Sequence, residues 1–291
     1  MARTNSPLRY PGGKSCLLPL TAELLKLNDL ERGHYLEPYA GGCGLALSLL
    51  YNGHVAEIHI NDIDPAVWAF WKSVLDDTEE MVDLIRTTPV TIDEWHKQMQ
   101  FNRNPINSTT VQLGFSTFFL NRTNRSGVIK GAGVIGGLDQ SGPYKIDCRF
   151  NRDDLARRVT RVGRYRERIH LSCLDALDFL KKADKRLPAS TFLFIDPPYF
   201  KKGAGLYTSF YAAGDHATVA AQVCALNRPW VVTYDDTPEI QSLYKSRRQY
   251  SFDISYSLNE KRKGAELLIA SKGLRVPSAM RERQCNRPQY R

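Results

Sequence analysis

The chain has 291 residues, with 42% hydrophobic and 24% charged residues and a formal net charge of +9, ordinary values for a soluble globular protein able to bury a full core. No apolar run reaches the roughly 18 residues that would suggest a membrane-spanning helix, and Met1–Tyr10 lacks the apolar region of a secretory signal. Six scattered cysteines without a C-x-x-C pair, and six histidines without an H-x-x-x-H, point to reduced thiols in a cytoplasmic protein rather than a zinc site or disulfide framework.

In chain order, Leu8-Arg9-Tyr10-Pro11-Gly12-Gly13-Lys14 comes before any strand. A Gly-Gly-Lys turn can present a lysine to a carboxylate, and Tyr10 can cover an adenine ring, though a plain N-terminal turn explains the segment in isolation. The first strand is expected over His34–Pro38. It closes in Leu36-Glu37-Pro38-Tyr39-Ala40-Gly41-Gly42-Cys43-Gly44 and opens a helix over Leu45–Leu50. Glycines there let backbone approach a ligand at a helix N-terminus. The loop alone fits NAD, FAD or S-adenosyl-L-methionine (AdoMet), but its spacing is not G-x-G-x-x-G. A second strand, Glu57–Asp62, ends in Asn61-Asp62-Ile63-Asp64, where an acidic side chain can bond a ribose hydroxyl pair. A helix follows over Pro65–Leu75.

From about Asp76 to Arg164 the alternation breaks into helical patches and a Gly-rich stretch, Gly127–Gly142, too rich in glycine for a helix or central strand. It reads as an insertion between the second and third strands. Residues 121–168 carry +7 and residues 272–291 carry +5, leaving −3 for the rest. Such segregation fits a polyanion-binding surface; a solvated helix face fits equally, because Arg157–Arg168 has helical spacing. Next come strands Ile169–Asp175, Thr191–Pro197 and Trp230–Asp235, with a helix over Leu177–Lys182. Strands Tyr250–Ser255 and Glu266–Ala270, joined by the short loop Leu258–Gly264, read as a closing antiparallel hairpin. Strands alternating with helices predict an α/β domain with a largely parallel sheet. The polar, basic tail Arg275–Arg291 is expected to be disordered.

The chemistry concentrates in Ile195-Asp196-Pro197-Pro198-Tyr199, at the carboxyl end of an apolar strand, where open α/β sheets bind ligands. An exocyclic purine amine is a poor nucleophile because its lone pair is delocalised into the ring. A carboxylate (Asp196) and a backbone carbonyl (Pro197), each accepting one of its N–H bonds, favour localising that pair. Pro197 and Pro198 stiffen the loop and bring no N–H donor. Tyr199 offers a flat face for a base.

Together these segments resemble the Dam-like, D12 class, α-group DNA adenine N6-methyltransferases. That family has [WY]-x-G-G-K near the N-terminus, an E-P-[FY]-x-G-x-G loop, an acidic residue after the second strand, and D-P-P-Y. The likeness runs from about Pro7 to Lys272 and takes in Phe119-Leu120-Asn121-Arg122 and Tyr234-Asp235-Asp236. It implies a Rossmann-like AdoMet-dependent methyltransferase sheet (1–75 and 165–273), an inserted, mainly helical target-recognition domain (76–164) and the tail (274–291). It further implies cofactor contacts at Tyr10, Lys14, Asp62 and Asp196, with Asp175 beside the cofactor adenine. Glu37, Tyr39, Gly41, Gly42 and Gly44 form the loop beneath the methionine moiety. Catalysis falls to Asp196, Pro197, Pro198 and Tyr199, without a metal, and Asn121, Arg122, Arg125 and Lys130 contact double-stranded DNA. The resemblance implies a cytoplasmic, nucleoid-associated enzyme, with a companion restriction enzyme as a further partner to look for. Two positions depart from the pattern. Cys43 interrupts the glycine loop, and Arg125-Ser126-Gly127 stands where relatives that methylate GATC carry an aromatic residue and an asparagine before the glycine. GATC is therefore not the expected target. Rival readings are the same chemistry on cytosine N4 or an RNA base, and a nucleic-acid-binding homologue without turnover.

Overall fold

The computed structural model describes residues 4–10, 12–200, 211–258, 260–286 and 288. Five strands, β1 (His34–Glu37), β2 (Glu57–Asn61), β3 (Ile169–Ser172), β4 (Thr191–Ile195) and β5 (Trp230–Asp235), pair in parallel. Two long strands, β6 (Arg248–Leu258) and β7 (Glu260–Ala270), complete a seven-stranded sheet in the order β3-β2-β1-β4-β5-β7-β6. The closing hairpin is antiparallel, as the short connection required, but its strands run much further than expected. Its last strand, not its first, pairs with β5.

Side chains alternate between two cores, as strand geometry dictates. Tyr35, Phe192 and Phe194 face one core with the helices α1 (Leu18–Leu27), α2 (Gly44–Tyr51) and α3 (Pro65–Asp76). Leu36, Leu193 and Ile195 face the other, against α8 (Ala176–Arg186), α9 (Ala213–Cys224) and α10 (Pro238–Leu243). All residues of β4 and β5 are buried, as expected of central strands covered on both faces. The order of the five parallel strands reverses at β1 and β4, so loops leaving their carboxyl ends part to opposite sides and leave a crevice.

Between β2 and β3 lie α4 (Thr78–Thr87), α5 (Ile92–Arg103), α6 (Thr110–Thr123) and α7 (Arg152–Arg164). Helix starts follow local chemistry. Asp64 accepts from the Ala66 amide at 2.9 Å with Pro65 at the first turn of α3, and Thr109 and Gln112 form a capping box on α6. Trp95, Phe118, Phe119 and Phe150 of this segment share one continuous core with β1 and β2. The Gly-rich stretch forms turns, pinned by a bridge between Asn124 and Val134.

One expectation fails here. Residues 274–286 are not disordered. Leu274, Val276 and Met280 are buried, α11 (Ser278–Arg281) forms a short turn, and Cys285 donates to the Gln249 carbonyl at 3.0 Å. Asn286 accepts from the Gln249 amide at 2.8 Å. The physical reason is β6, an edge strand whose unpaired amides and carbonyls need cover. Tail composition did not reveal three spaced apolar residues as an anchor.

Candidate active site

Asp196 is the first residue after β4. Lys14 Nζ donates to its Oδ2 at 2.7 Å, and Thr233 Oγ1, from β5, donates to its Oδ1 at 2.6 Å. Lys14 also donates to the Gly12 carbonyl at 2.8 Å and stands 5.1 Å from the centre of the Tyr199 ring. The lysine side chain is only 5% exposed, whereas Asp196 keeps 22%. Ion pairing offsets the cost of sealing the cation, and the carboxylate retains an open side. Pro197, Pro198 and Tyr199 are buried. The Tyr199 hydroxyl donates to Glu266 of β7, which is wholly buried. Sequence reading missed Thr233 and Glu266. Their signal was available, because a polar residue inside an apolar strand run must find a partner.

The glycine loop joins β1 to α2. Gly41 has φ +44, and a Cβ placed on it would lie 2.6 Å from the Tyr10 ring, so Tyr10 covers the loop at a distance only glycine permits. Cys43 takes the left-handed conformation (φ 52) at the start of α2, an arrangement that costs a non-glycine residue about 1 kcal/mol. Asp62 Oδ2 accepts from the Gly41 amide at 2.9 Å and its Oδ1 from the Asp64 amide at 3.0 Å. Trp71 Nε1 holds the Gly41 carbonyl at 2.9 Å. Asn61, fully buried and missed in the sequence, donates to the carbonyls of Pro38 and Leu174, each at 3.0 Å, and accepts from the Leu174 amide at 2.9 Å. It ties together the loops that follow β1 and β3.

Tyr10, Lys14, Gly41, Asp62 and Asp196 are thus linked around one crevice. Tyr39 borders it, with its hydroxyl 3.1 Å from that of Tyr211. Asp175, exposed at the start of α8, accepts from the amides of Leu177 at 2.9 Å and Asp178 at 3.3 Å as an N-cap.

Residues 10–262 match the model of the D12 class N6 adenine-specific DNA methyltransferases. The chain belongs to that family. It is also 22% identical over 208 residues to the type II methyltransferase M.MjaIII of Methanocaldococcus jannaschii, covering 66% of this chain and 68% of that one. Among solved structures, PH1948 of Pyrococcus horikoshii, described as an RNA methyltransferase, is similar with a TM-score of 0.42 and 10% identity, covering 90% of this chain and 84% of its own. Protein LPL1258 of Legionella pneumophila has a TM-score of 0.35 at 12% identity, covering 93% and 90%. The chain is therefore a DNA methyltransferase, adenine-specific by family. Among the described residues no helix is long and apolar enough to cross a membrane.

The methyltransferase's insertion residues divide. Asn121 is fully buried: its Oδ1 accepts from the Arg9 amide at 2.7 Å, and its Nδ2 donates to the carbonyls of Arg9 and Gly127, each at 2.7 Å. Arg122, 7% exposed, donates through Nε to the Pro7 carbonyl at 2.8 Å. Burial, with Arg158 and Arg9 nearby, pushes its guanidinium down to about 9, still charged at neutral pH. Both side chains are buried rather than presented at the surface, as a DNA contact would require; they hold the segment that carries Tyr10 and Lys14. Arg158 does likewise, donating to the carbonyls of Thr4 at 2.8 Å and Ser6 at 2.9 Å. Lys130 pairs with Asp64 at 3.0 Å. Arg161 lies over the Tyr51 ring and Arg168 holds the Ala56 carbonyl. Arg122, Arg158 and Arg168 are thus committed to backbone carbonyls of the protein, whereas Arg125, Lys130, Lys145, Arg149, Arg157, Arg161, Arg164 and Arg166 are exposed.

Glu37 sits under the crevice, 7% exposed, accepting from the Tyr35 hydroxyl at 2.8 Å. Burial, reinforced by repulsion from Asp196, pushes its carboxyl up to about 8; burial likewise raises Asp62 to about 6. In both, the native state holds a proton that the unfolded chain sheds near the ordinary carboxylate value. Their stabilisation is present at acid pH and is lost as pH rises toward the folded value. Melts of Glu37→Gln are expected to decline less than wild type between pH 5.5 and 8.5. Parallel curves would mean that Glu37 is ionised across that range.

Proposed function

We propose that the enzyme transfers the methyl group of AdoMet to the N6 amine of an adenine turned out of duplex DNA. The observation that carries this reading is the Asp196 carboxylate, fixed through both oxygens yet open on one side, at the head of a buried Pro-Pro-Tyr. A carboxylate has about four lone-pair sites; Lys14 and Thr233 occupy two, so acceptor capacity remains for an amine. The two prolines add carbonyl acceptors and no competing donor. Held so, the amine presents its lone pair in line and releases a proton to solvent after transfer. An N6 group cannot be reached within the base stack, hence the flipped base.

AdoMet supplies an electrophilic methyl on a sulfonium. The residues suit it: Asp62 keeps a second lone pair on each oxygen for a ribose diol, and Asp196 favours a cation nearby. Tyr199 is 6% exposed, so a base stacking on its ring must first part it from its cover. Asp62→Ala is expected to weaken AdoMet affinity by about ten- to a hundredfold, the worth of a charged hydrogen bond; unchanged affinity by calorimetry would remove Asp62 from the cofactor site.

The stretch after α6 supports duplex contact. Arg125 is exposed there, as are Leu138 (60%) and Tyr144 (64%), two of the exposed large apolar side chains among the described residues. Cations there would grip phosphate and the apolar pair would fill the space left by a flipped base. Because M.MjaIII is named a type II methyltransferase, a companion restriction enzyme belongs to the same proposal. The deciding experiment incubates the enzyme with labelled AdoMet and DNA or RNA, then analyses nucleosides by mass spectrometry. N6-methyladenine in DNA is expected; label in N4-methylcytosine, or in RNA alone, would overturn the reading.

A further inference from the structure

Away from the crevice, three histidines from three adjacent strands stack on one face of the sheet. His34 of β1 and His59 of β2 lie ring on ring at 5.1 Å, and His59 and His170 of β3 at 4.5 Å. Register explains the alignment: His34 is opposite Glu57, and His59 is opposite His170. Glu57 and His59 are two apart on β2 and so share that face. The donors converge. His34 Nδ1 is 2.9 Å from His59 Nε2 and 3.8 Å from Glu57 Oε2, and His170 Nε2 is 2.7 Å from the same oxygen. One donor atom each from His34, Glu57 and His59 lies within 4.8 Å of the others.

We propose that His34, Glu57 and His59 form a site for a borderline divalent cation such as Zn2+, with His170 of β3 holding the Glu57 carboxylate from outside, tying neighbouring strands of the sheet together. Tetrahedral zinc with nitrogen ligands at 2.0–2.1 Å places its donors about 3.3 Å apart, within the spread of the distances above. The donor set, imidazoles and one carboxylate, suits zinc, cobalt or nickel and not magnesium. The His34–His59 hydrogen bond uses one ring proton; when the cation takes its place, that ring carries its proton on its other nitrogen, and both imidazoles bind as neutral ligands. The four residues are half-buried or exposed, so an ion can enter without unfolding. No methyl-transfer step uses the site, and the proposal is independent of the substrate reading. Spacing along the chain gave no sign of it, because the three imidazoles come from separate strands.

The test uses the full chain after dialysis against EDTA. At Zn2+ about a hundredfold above its dissociation constant, the Tm should rise on the order of 5 °C, with no rise in Mg2+. Co2+ should give visible bands of a nitrogen–oxygen tetrahedral site. His59→Ala and His34→Ala should each lose both signals while keeping the far-UV circular dichroism of wild type; His59→Gln serves if alanine unfolds the chain. No Zn2+-dependent rise, a rise that survives both histidine substitutions, or a Co2+ spectrum dominated by thiolate charge transfer from the cysteines would each overturn the site.

Discussion

Asp196→Asn is expected to lower methyl transfer by about a hundredfold or more, the loss of roughly 3 kcal/mol when a charged acceptor acting in the transition state is removed. Asparagine can keep the local bonds, accepting from Lys14 through its oxygen and donating to Thr233 through its amide, so the Tm should stay close to wild type. What it lacks is the charge that favours a developing positive amine. Asp196→Ala should lose activity equally and stability as well, because it removes the carboxylate paired with the Lys14 cation, which is 5% exposed. Orphaning one member of such a buried pair costs on the order of 3 kcal/mol. Turnover and melts measured on both variants separate chemistry from folding. If Asp196→Asn keeps more than about a tenth of wild-type turnover, the carboxylate is not the amine's acceptor.

Asn121→Ala should have the larger structural effect. It removes three hydrogen bonds to the backbone of Arg9 and Gly127, one buried and two partly buried, and each buried group left unpaired costs about 1–3 kcal/mol. Gly127 has φ +76 and packs where a Cβ would meet the Arg9 carbonyl at 2.4 Å, so the two segments cannot close up around the gap. The Tm should fall by several degrees. AdoMet affinity should fall about tenfold, because Tyr10 and Lys14 hang from the segment that Asn121 holds. The salt dependence of DNA binding should not change. Arg125→Ala should do the reverse, leaving the Tm and AdoMet affinity intact while flattening the salt slope by about one unit. Melts, calorimetry and duplex affinity at several salt concentrations compare the two. An Asn121→Ala protein with wild-type Tm and a flattened slope would return Asn121 to the DNA surface.

Where the sequence was decisive, the physics was local. Strand positions followed from apolar runs of four to six residues, and Trp230–Asp235 begins and ends where expected. Asp196, Asp62 and the glycine loop were legible because strand ends, prolines and glycines constrain their own backbone. The order of motifs named the family, and the family model agrees. Tertiary structure decided the rest, because the remaining roles depend on partners far away in the chain. Asn121 and Arg122 look like surface polar residues until residues 7–9 arrive 112–115 positions away to take their hydrogen bonds. Thr233 gains meaning only beside Asp196, 37 positions away, and Glu266 only beside Tyr199, 67 positions away. The tail becomes ordered because an edge strand needs covering, a demand that no window of its own sequence records. Local sequence sets where strands, turns and glycine approaches fall, whereas the burial of a charge or an amide is a property of the whole fold: only the assembled chain determines whether water or a carbonyl satisfies it.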